Sequence, residues 1–397
     1  MNATTARQHE VLVLGAGYAG LAAAIQLAAR GKKRGNVRVT VVNPYDVFTE
    51  RLRLHMTATG QETAEMSIPE LLDGTGAGFV RGWVTTVDAE AKTVRIDDDR
   101  VLRYDTLVYG LGSVADTAAV PGVDDHAHTL NSAQDAAVLA DRLARLDGGT
   151  VVVGGAGLTG VEAAAEIAEQ HPGLQVVLLG RTEPGAGMRP KAKAHLDAAL
   201  ARLGVQVRCG VEVVKVLPGG VELADGSAIP ADAVLWTSGT RVSPLAAVAG
   251  LSVDERGRVV TDSALRSVSH PDVYAVGDAA AIRQGYGVMH GTCQSGMPTG
   301  VHAALSILRT LAGKEPKPFR FGYYHTPVSL GRNDGIVQFT RPDDSPRRIV
   351  LTGKRAATYK ETVTASPWPT FARMKKMPAS GAFWPRGGRY TRIRSAK

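Results

Sequence analysis

EVLVLGAGYAGLAAAIQLAARG, residues 10–31, sets an apolar run of strand type directly against an alanine-rich run of helical type, with Gly15, Gly17 and Gly20 at the junction. Strand, then GxGxxG, then helix is the dinucleotide-binding fingerprint in the context it requires. Gly15 permits the tight turn, Gly17 lets a pyrophosphate approach the backbone, and Gly20 lets helix and strand pack closely. By hydropathy alone the same run would pass for a membrane span or a signal peptide. The glycines fall where a strand should become a helix, so the export reading is rejected. The next strand, VRVTVV, ends at Asn43. Asparagine stands where such units usually carry an acid, and its amide can still hydrogen-bond a ribose hydroxyl.

The motif recurs in TVVVGGAGLTGVEAAAEIAE, residues 150–169, where Gly155, Gly157 and Gly160 take the same three parts ahead of the strand QVVLLG. Two copies imply two dinucleotides and an α/β fold. After each copy a buried strand ends in a turn, YDTLVYGLGS (104–113) and ADAVLWTSGT (231–240), and the two look like paired closing strands. HPDVYAVGDAAAI (270–282) places Asp278 straight after a strand, where a carboxylate can accept hydrogen bonds from sugar hydroxyls.

The 397 residues carry only two cysteines, Cys209 and Cys293, far apart in sequence. That count excludes a disulfide framework and a CxxC metal site, and it removes the thiol pair through which a disulfide reductase relays electrons. It points to a reducing cytoplasm. A net charge of +8 suits an anionic partner, whether nucleotide, acidic lipid or nucleic acid. No nucleic-acid motif stands behind the charge, and that partner is placed last.

With these pieces in order, the chain resembles the two-dinucleotide flavoprotein reductases over roughly residues 9–310, and within them the type II NADH dehydrogenases and apoptosis-inducing-factor-like proteins. The resemblance implies two Rossmann-type domains and a C-terminal α+β domain. An FAD-binding domain (1–115 and 245–318) is interrupted by an NAD(P)H-binding domain (116–244) and followed by the C-terminal domain (319–397). It implies FAD at Gly15, Gly17, Gly20, Asn43 and Asp278, and the nicotinamide nucleotide at Gly155, Gly157, Gly160 and Glu162. Glu162 stands in GLTGVE, similar to the GxTGxE of type II dehydrogenases, whose glutamate lies near the nicotinamide. The other reading of Glu162 is an exposed first-turn acid that complements the helix dipole. The implied reaction is hydride transfer from NAD(P)H to FAD N5, then electron transfer to a quinone or quinone-like small molecule. A biosynthetic tailoring oxidoreductase and a non-catalytic, NAD(P)H-responsive signalling flavoprotein are the alternatives. The family also allows a homodimer, and peripheral contact at the inner face of the membrane for an otherwise cytoplasmic protein.

Four departures from that pattern carry expectations of their own. In VVLLGRTEP (176–184) the acid expected after the second strand of the NAD(P)H unit is replaced by Gly180, with Arg181 next. A small residue followed by a guanidinium leaves room and charge for a 2′-phosphate, so NADPH is expected over NADH. In GTCQSGMPTG (291–300), similar to the AQxxxQ of type II dehydrogenases, Gln294 matches the first glutamine but Pro298 replaces the second, which weakens the quinone reading. Cys293 beside it reads either as a flavin-adjacent thiol or as a small buried residue. Arg51, Arg53 and His55 of RLRLH are candidate flavin or substrate contacts. The tail from residue 366 mixes Trp368, Phe371, Phe383 and Trp384 with eight Arg or Lys, a composition that could dock on an anionic membrane or fold back on the protein. If it only docks, removing residues after Thr364 leaves flavin reduction intact.

Overall fold

The structure, a computed structural model, describes residues 7–31 and 37–393. Arg394 and Lys397 of the basic tail lie outside the described residues.

The first strand, His9–Leu14, is flanked by Val37–Asn43 on one side and Thr106–Tyr109 on the other, and all pairings are parallel. Ala77–Arg81 and Val273–Ala275 complete the two edges of this five-stranded sheet. Parallel strands are covered on both faces, which is why Val11 to Leu14 and Thr106 to Tyr109 are buried without alternation. The second unit repeats the plan with four parallel strands, in the order Gln206–Cys209, Leu174–Gly180, Gly149–Gly154, Ala233–Trp236. A small antiparallel ladder accompanies each unit: residues 84–103 in the first and 213–230 in the second.

The two closing strands, 106–109 and 233–236, belong to separate sheets rather than pairing with each other. The pairing falls just beyond them, where Ser113–Ala115 runs antiparallel to Thr240–Val242. Chain leaves the first unit and returns to it through this two-stranded neck.

The helix Tyr18–Gly31 is buried nearly all round because a second helix, Cys293–Thr310, lies against it. The approach depends on Gly300, where any Cβ would overlap the carbonyl oxygen of Ala19.

The C-terminal part is the antiparallel sheet His325–Ser329, Gly335–Thr340, Pro346–Thr352, followed by helices Lys354–Ala365 and Pro367–Lys376. The tail folds back. Phe371 and Trp384 are buried, and Phe48 packs against Trp368, tilted, and edge-to-face against Phe371, at centroid distances of 5.6 and 5.9 Å. The Gln26 amide donates to the Pro378 carbonyl at 2.8 Å. Of the five aromatics in the tail, Phe383, at 95% exposure, is the fully exposed one. Removal of residues after Thr364 would therefore uncover Phe48 and the first nucleotide helix, so of the two readings of the tail the fold-back holds, and the harmless truncation expected for a tail that only docks does not apply. Among the described residues no helix is long and apolar enough to cross a membrane.

Candidate functional site

In the first cradle Gly15 has φ +88°, a conformation that favours glycine, and a Cβ on Gly20 would overlap the Gly15 carbonyl oxygen. A Cβ on Gly17 would meet nothing within 4 Å. The backbone thus presents an open face to a cavity of about 410 Å³ lined by Gly15, Gly17, Asn43, Arg51, Trp83 and Ser113, among others. A dinucleotide pyrophosphate fits this arrangement, since the unpaired N–H groups of the first helical turn point to the open side. Asn43 works on the protein itself: its Oδ1 accepts from the Ala16 N–H at 2.9 Å, and its Nδ2 donates to the Tyr45 carbonyl at 2.7 Å. It fixes the loop from the side of the strand. Asp278 sits in the single 3-10 turn Gly277–Ala279 and accepts from the Ser113 hydroxyl at 2.8 Å, which brings the return segment to the neck of the first unit. We expect Asp278→Ala to purify with less than about a tenth of the wild-type flavin, read as the flavin-to-protein absorbance ratio. Full retention would remove Asp278 from the site.

The second cradle repeats the geometry: Gly155 at φ +124°, Gly157 open, and Gly160 pressed on the Gly155 carbonyl oxygen. Arg181 is largely exposed and lies 3.9 Å from a Glu212 carboxylate oxygen. At Gly180 a Cβ would come within 2.5 Å of the Ala156 Cβ. Crowding against the glycine loop accounts for a glycine at this position; the acid that would repel a 2′-phosphate is absent all the same, and Arg181 follows.

Glu162 lies on the second nucleotide helix, Leu158–Gln170. It is not the exposed first-turn acid of the alternative reading. Its Oε1 accepts from the Ser329 N–H at 3.0 Å and from Lys360 Nζ at 2.8 Å. Burial pushes this carboxyl up, but the Lys360 ammonium and His55 outweigh it, and the carboxyl ends below its ordinary range. One turn on, the wholly buried Glu166 accepts from Arg332 Nη2 at 2.6 Å and Gln61 Nε2 at 2.5 Å, and the next acid, Glu169, accepts from the Arg332 N–H at 2.7 Å. Spacings of four and three residues put all three glutamates on one face of the helix, where they grip the loop 329–332. His55, 4.0 Å from Glu166, is held neutral by burial, which pulls its pKa to about 4. Arg53 is pinned between Glu50, at 3.0 Å, and Glu361. Sequence reasoning did not find Glu166, Arg332 or Lys360. The glutamate spacing was the available signal.

A second cavity, of about 430 Å³, opens between the segment 52–56, the loop 329–333 and the helix Lys354–Ala365; Lys360 and Arg332 line it. Arg51 faces the first cavity and Leu52 and Arg53 the second, so residues 51–53 form the partition between them. Gln294 does not reach either. Its amide donates to the His325 carbonyl at 3.1 Å and accepts from the Tyr324 N–H at 3.2 Å, tying the helix start to the C-terminal sheet. Burial pushes the Cys293 thiol up to about 12, which keeps it protonated and a poor nucleophile.

Two glycine cradles on separate parallel sheets, joined by a neck and closed by a third domain, define an FAD- and NAD(P)H-dependent oxidoreductase. The chain belongs to the pyridine nucleotide-disulphide oxidoreductase family, whose model matches residues 9–305. It is 31% identical over 377 residues to an NADH dehydrogenase-like protein of Mycobacterium tuberculosis, covering 89% of this chain and 92% of that one. Against the type II NADH:quinone oxidoreductase of Staphylococcus epidermidis the identity is 28% over 386 residues, covering 89% and 94%. The sulfide:quinone oxidoreductase of Aquifex aeolicus shares the fold, with a TM-score of 0.77, 18% identity and 92% of each chain covered. Disulfide chemistry is not available to this member through a cysteine pair, because its two thiols lie on different domains and both are free.

Proposed function

We propose that this oxidoreductase passes electrons from NAD(P)H to a quinone-like small molecule held in the second cavity, with Lys360 as the proton donor. FAD, held by Gly15, Gly17, Gly20, Asn43 and Asp278, would supply hydride acceptance and onward two-electron transfer. Gly155, Gly157, Gly160 and Arg181 would hold the nicotinamide nucleotide. The observation that carries this reading is that Lys360 does two things at once: it lines the cavity next to the flavin partition and it is paired to Glu162 of the nucleotide helix. Reduction of a quinone oxygen requires protons as well as electrons, and an ammonium fixed by a buried carboxylate delivers one from a defined position. Gln294 supports the site indirectly, by holding residues 324–325 in place.

For the nucleotide, the Arg181–Glu212 pair is exposed and worth little, so the guanidinium is free to turn to a 2′-phosphate. Anaerobic stopped-flow bleaching of the bound flavin with NADPH and NADH in parallel tests both parts. Bleaching is expected with either, faster with NADPH. Arg181→Ala should raise the half-saturating NADPH concentration about tenfold, a loss of about 1.4 kcal/mol, and change NADH by less than about twofold. Equal effects on the two nucleotides would remove Arg181 from the 2′-phosphate, and no bleaching with either would end the reductase reading.

A further inference from the structure

The second cavity has two kinds of surface. Leu52, Met56, Ala357 and Ala365 give it an apolar wall suited to a flat ring. Of the four cations that line it, Arg53, Arg332 and Lys360 are each paired with a glutamate, Glu50, Glu166 and Glu162, and Lys354 is left to meet a ligand. Glu361, the lining carboxylate, is already taken by Arg53. Lys354 has no ion-pair partner among the described residues, and it stands exposed at the rim with the exposed Asn333. An apolar chain laid over Lys354 would desolvate its ammonium with no compensating contact, whereas an acidic group there would pair with it.

We infer that the cavity takes a small planar acceptor bearing an acidic group, a quinone-like ring carboxylate or sulfonate, rather than a lipid quinone; this rests on the acceptor reading proposed above. The ring lies against the apolar wall and the acid meets Lys354. The overall reaction balances as NAD(P)H + H⁺ + quinone giving NAD(P)⁺ + hydroquinone, the two electrons and one hydrogen coming from the nicotinamide and the second hydrogen from a proton.

The experiment uses the flavin-loaded protein and redox-inert probes. Calorimetric titration with 2-naphthoate and with 2-naphthamide should show the acid bound about tenfold more tightly, the value of one charge-assisted contact. In Lys354→Gln that ratio should fall to about two, and in Lys354→Arg it should persist. Turnover of a naphthoquinone sulfonate against its uncharged parent is measured in parallel. Binding and its loss in Lys354→Gln without turnover of any quinone would leave the site intact and end only the quinone reading. An amide bound as well as the acid, a ratio unmoved by Lys354→Gln, or no binding of either probe would overturn the inference.

Discussion

Lys360→Met is expected to lower turnover with a water-soluble naphthoquinone about a hundredfold, the low end of what a positioned acid contributes. Flavin reduction by NAD(P)H, followed by stopped flow, should change only a few-fold. The substitution also strands Glu162, whose carboxylate keeps the Ser329 N–H but loses its ammonium partner. Breaking a buried pair from one side costs about 3 kcal/mol, so the melting temperature should fall as well. The sign of its pH dependence separates this cause from general damage. In the wild type the Glu162 carboxyl is held below its ordinary range, so the pair stabilises the fold above the ordinary carboxylate pKa, and that contribution disappears as pH falls through the lowered value. In the variant, burial, the largest influence on this carboxyl, is opposed only by the Ser329 N–H and His55, so the carboxyl moves up and the rise of stability with pH above about 4.3 should shrink or reverse. A variant whose stability rises over that window as steeply as the wild type would show that Lys360 is not what lowers the Glu162 carboxyl, and one whose flavin reduction falls in step with turnover would show that Lys360 only holds the domains together.

Gly300→Val should be the most damaging single change outside the cradles. Its side chain would have to enter the space of the Ala19 carbonyl, which belongs to the first turn of the FAD helix, with the Ala23 nitrogen only 3.1 Å away. Backbone cannot yield as a flexible side chain does, so a cost above about 4 kcal/mol is expected, beyond ordinary overpacking. The variant should lose flavin and melt at a markedly lower temperature. Gly296→Ala on the same helix is the control: its Cβ would find its nearest neighbour, the Tyr18 Cβ, at an ordinary 3.7 Å. Helix propensity then favours alanine by about 0.8 kcal/mol. Equal stability for the two variants would mean that the helices do not cross as closely as the structure has them.

Both cradles and the two-unit α/β plan were legible in the sequence, because glycine spacing and apolar periodicity are local properties; the C-terminal domain came only from the family resemblance. What was not legible was tertiary. Lys360 is nearly two hundred residues from Glu162 in sequence, and no local pattern joins them. Gly180 was read as an opening for a phosphate when its cause is the Ala156 methyl in the neighbouring turn. Arg53 was read as a candidate flavin or substrate contact and does line the second cavity, but its pairing with Glu361, far off in sequence, left no local trace. The tail could be read either way, since aromatic residues beside basic ones suit a lipid surface and a protein surface equally; the groove beside Phe48 decided it.

The two-stranded neck bears on how this architecture can be rebuilt. The residue pairs Ser113–Val242 and Ala115–Thr240 bring the outgoing and returning chain side by side, so the second unit has one point of covalent entry and exit, its other ties being the side-chain grips of Glu162, Glu166 and Glu169 on the C-terminal part. A module whose ends are neighbours can be cut out and closed with a short turn, or exchanged for a related one, without re-routing the remainder. Splicing at 115 and 240 therefore offers a route to a flavin carrier with no reductant site of its own, and to chimeras in which the reductant is chosen by the graft.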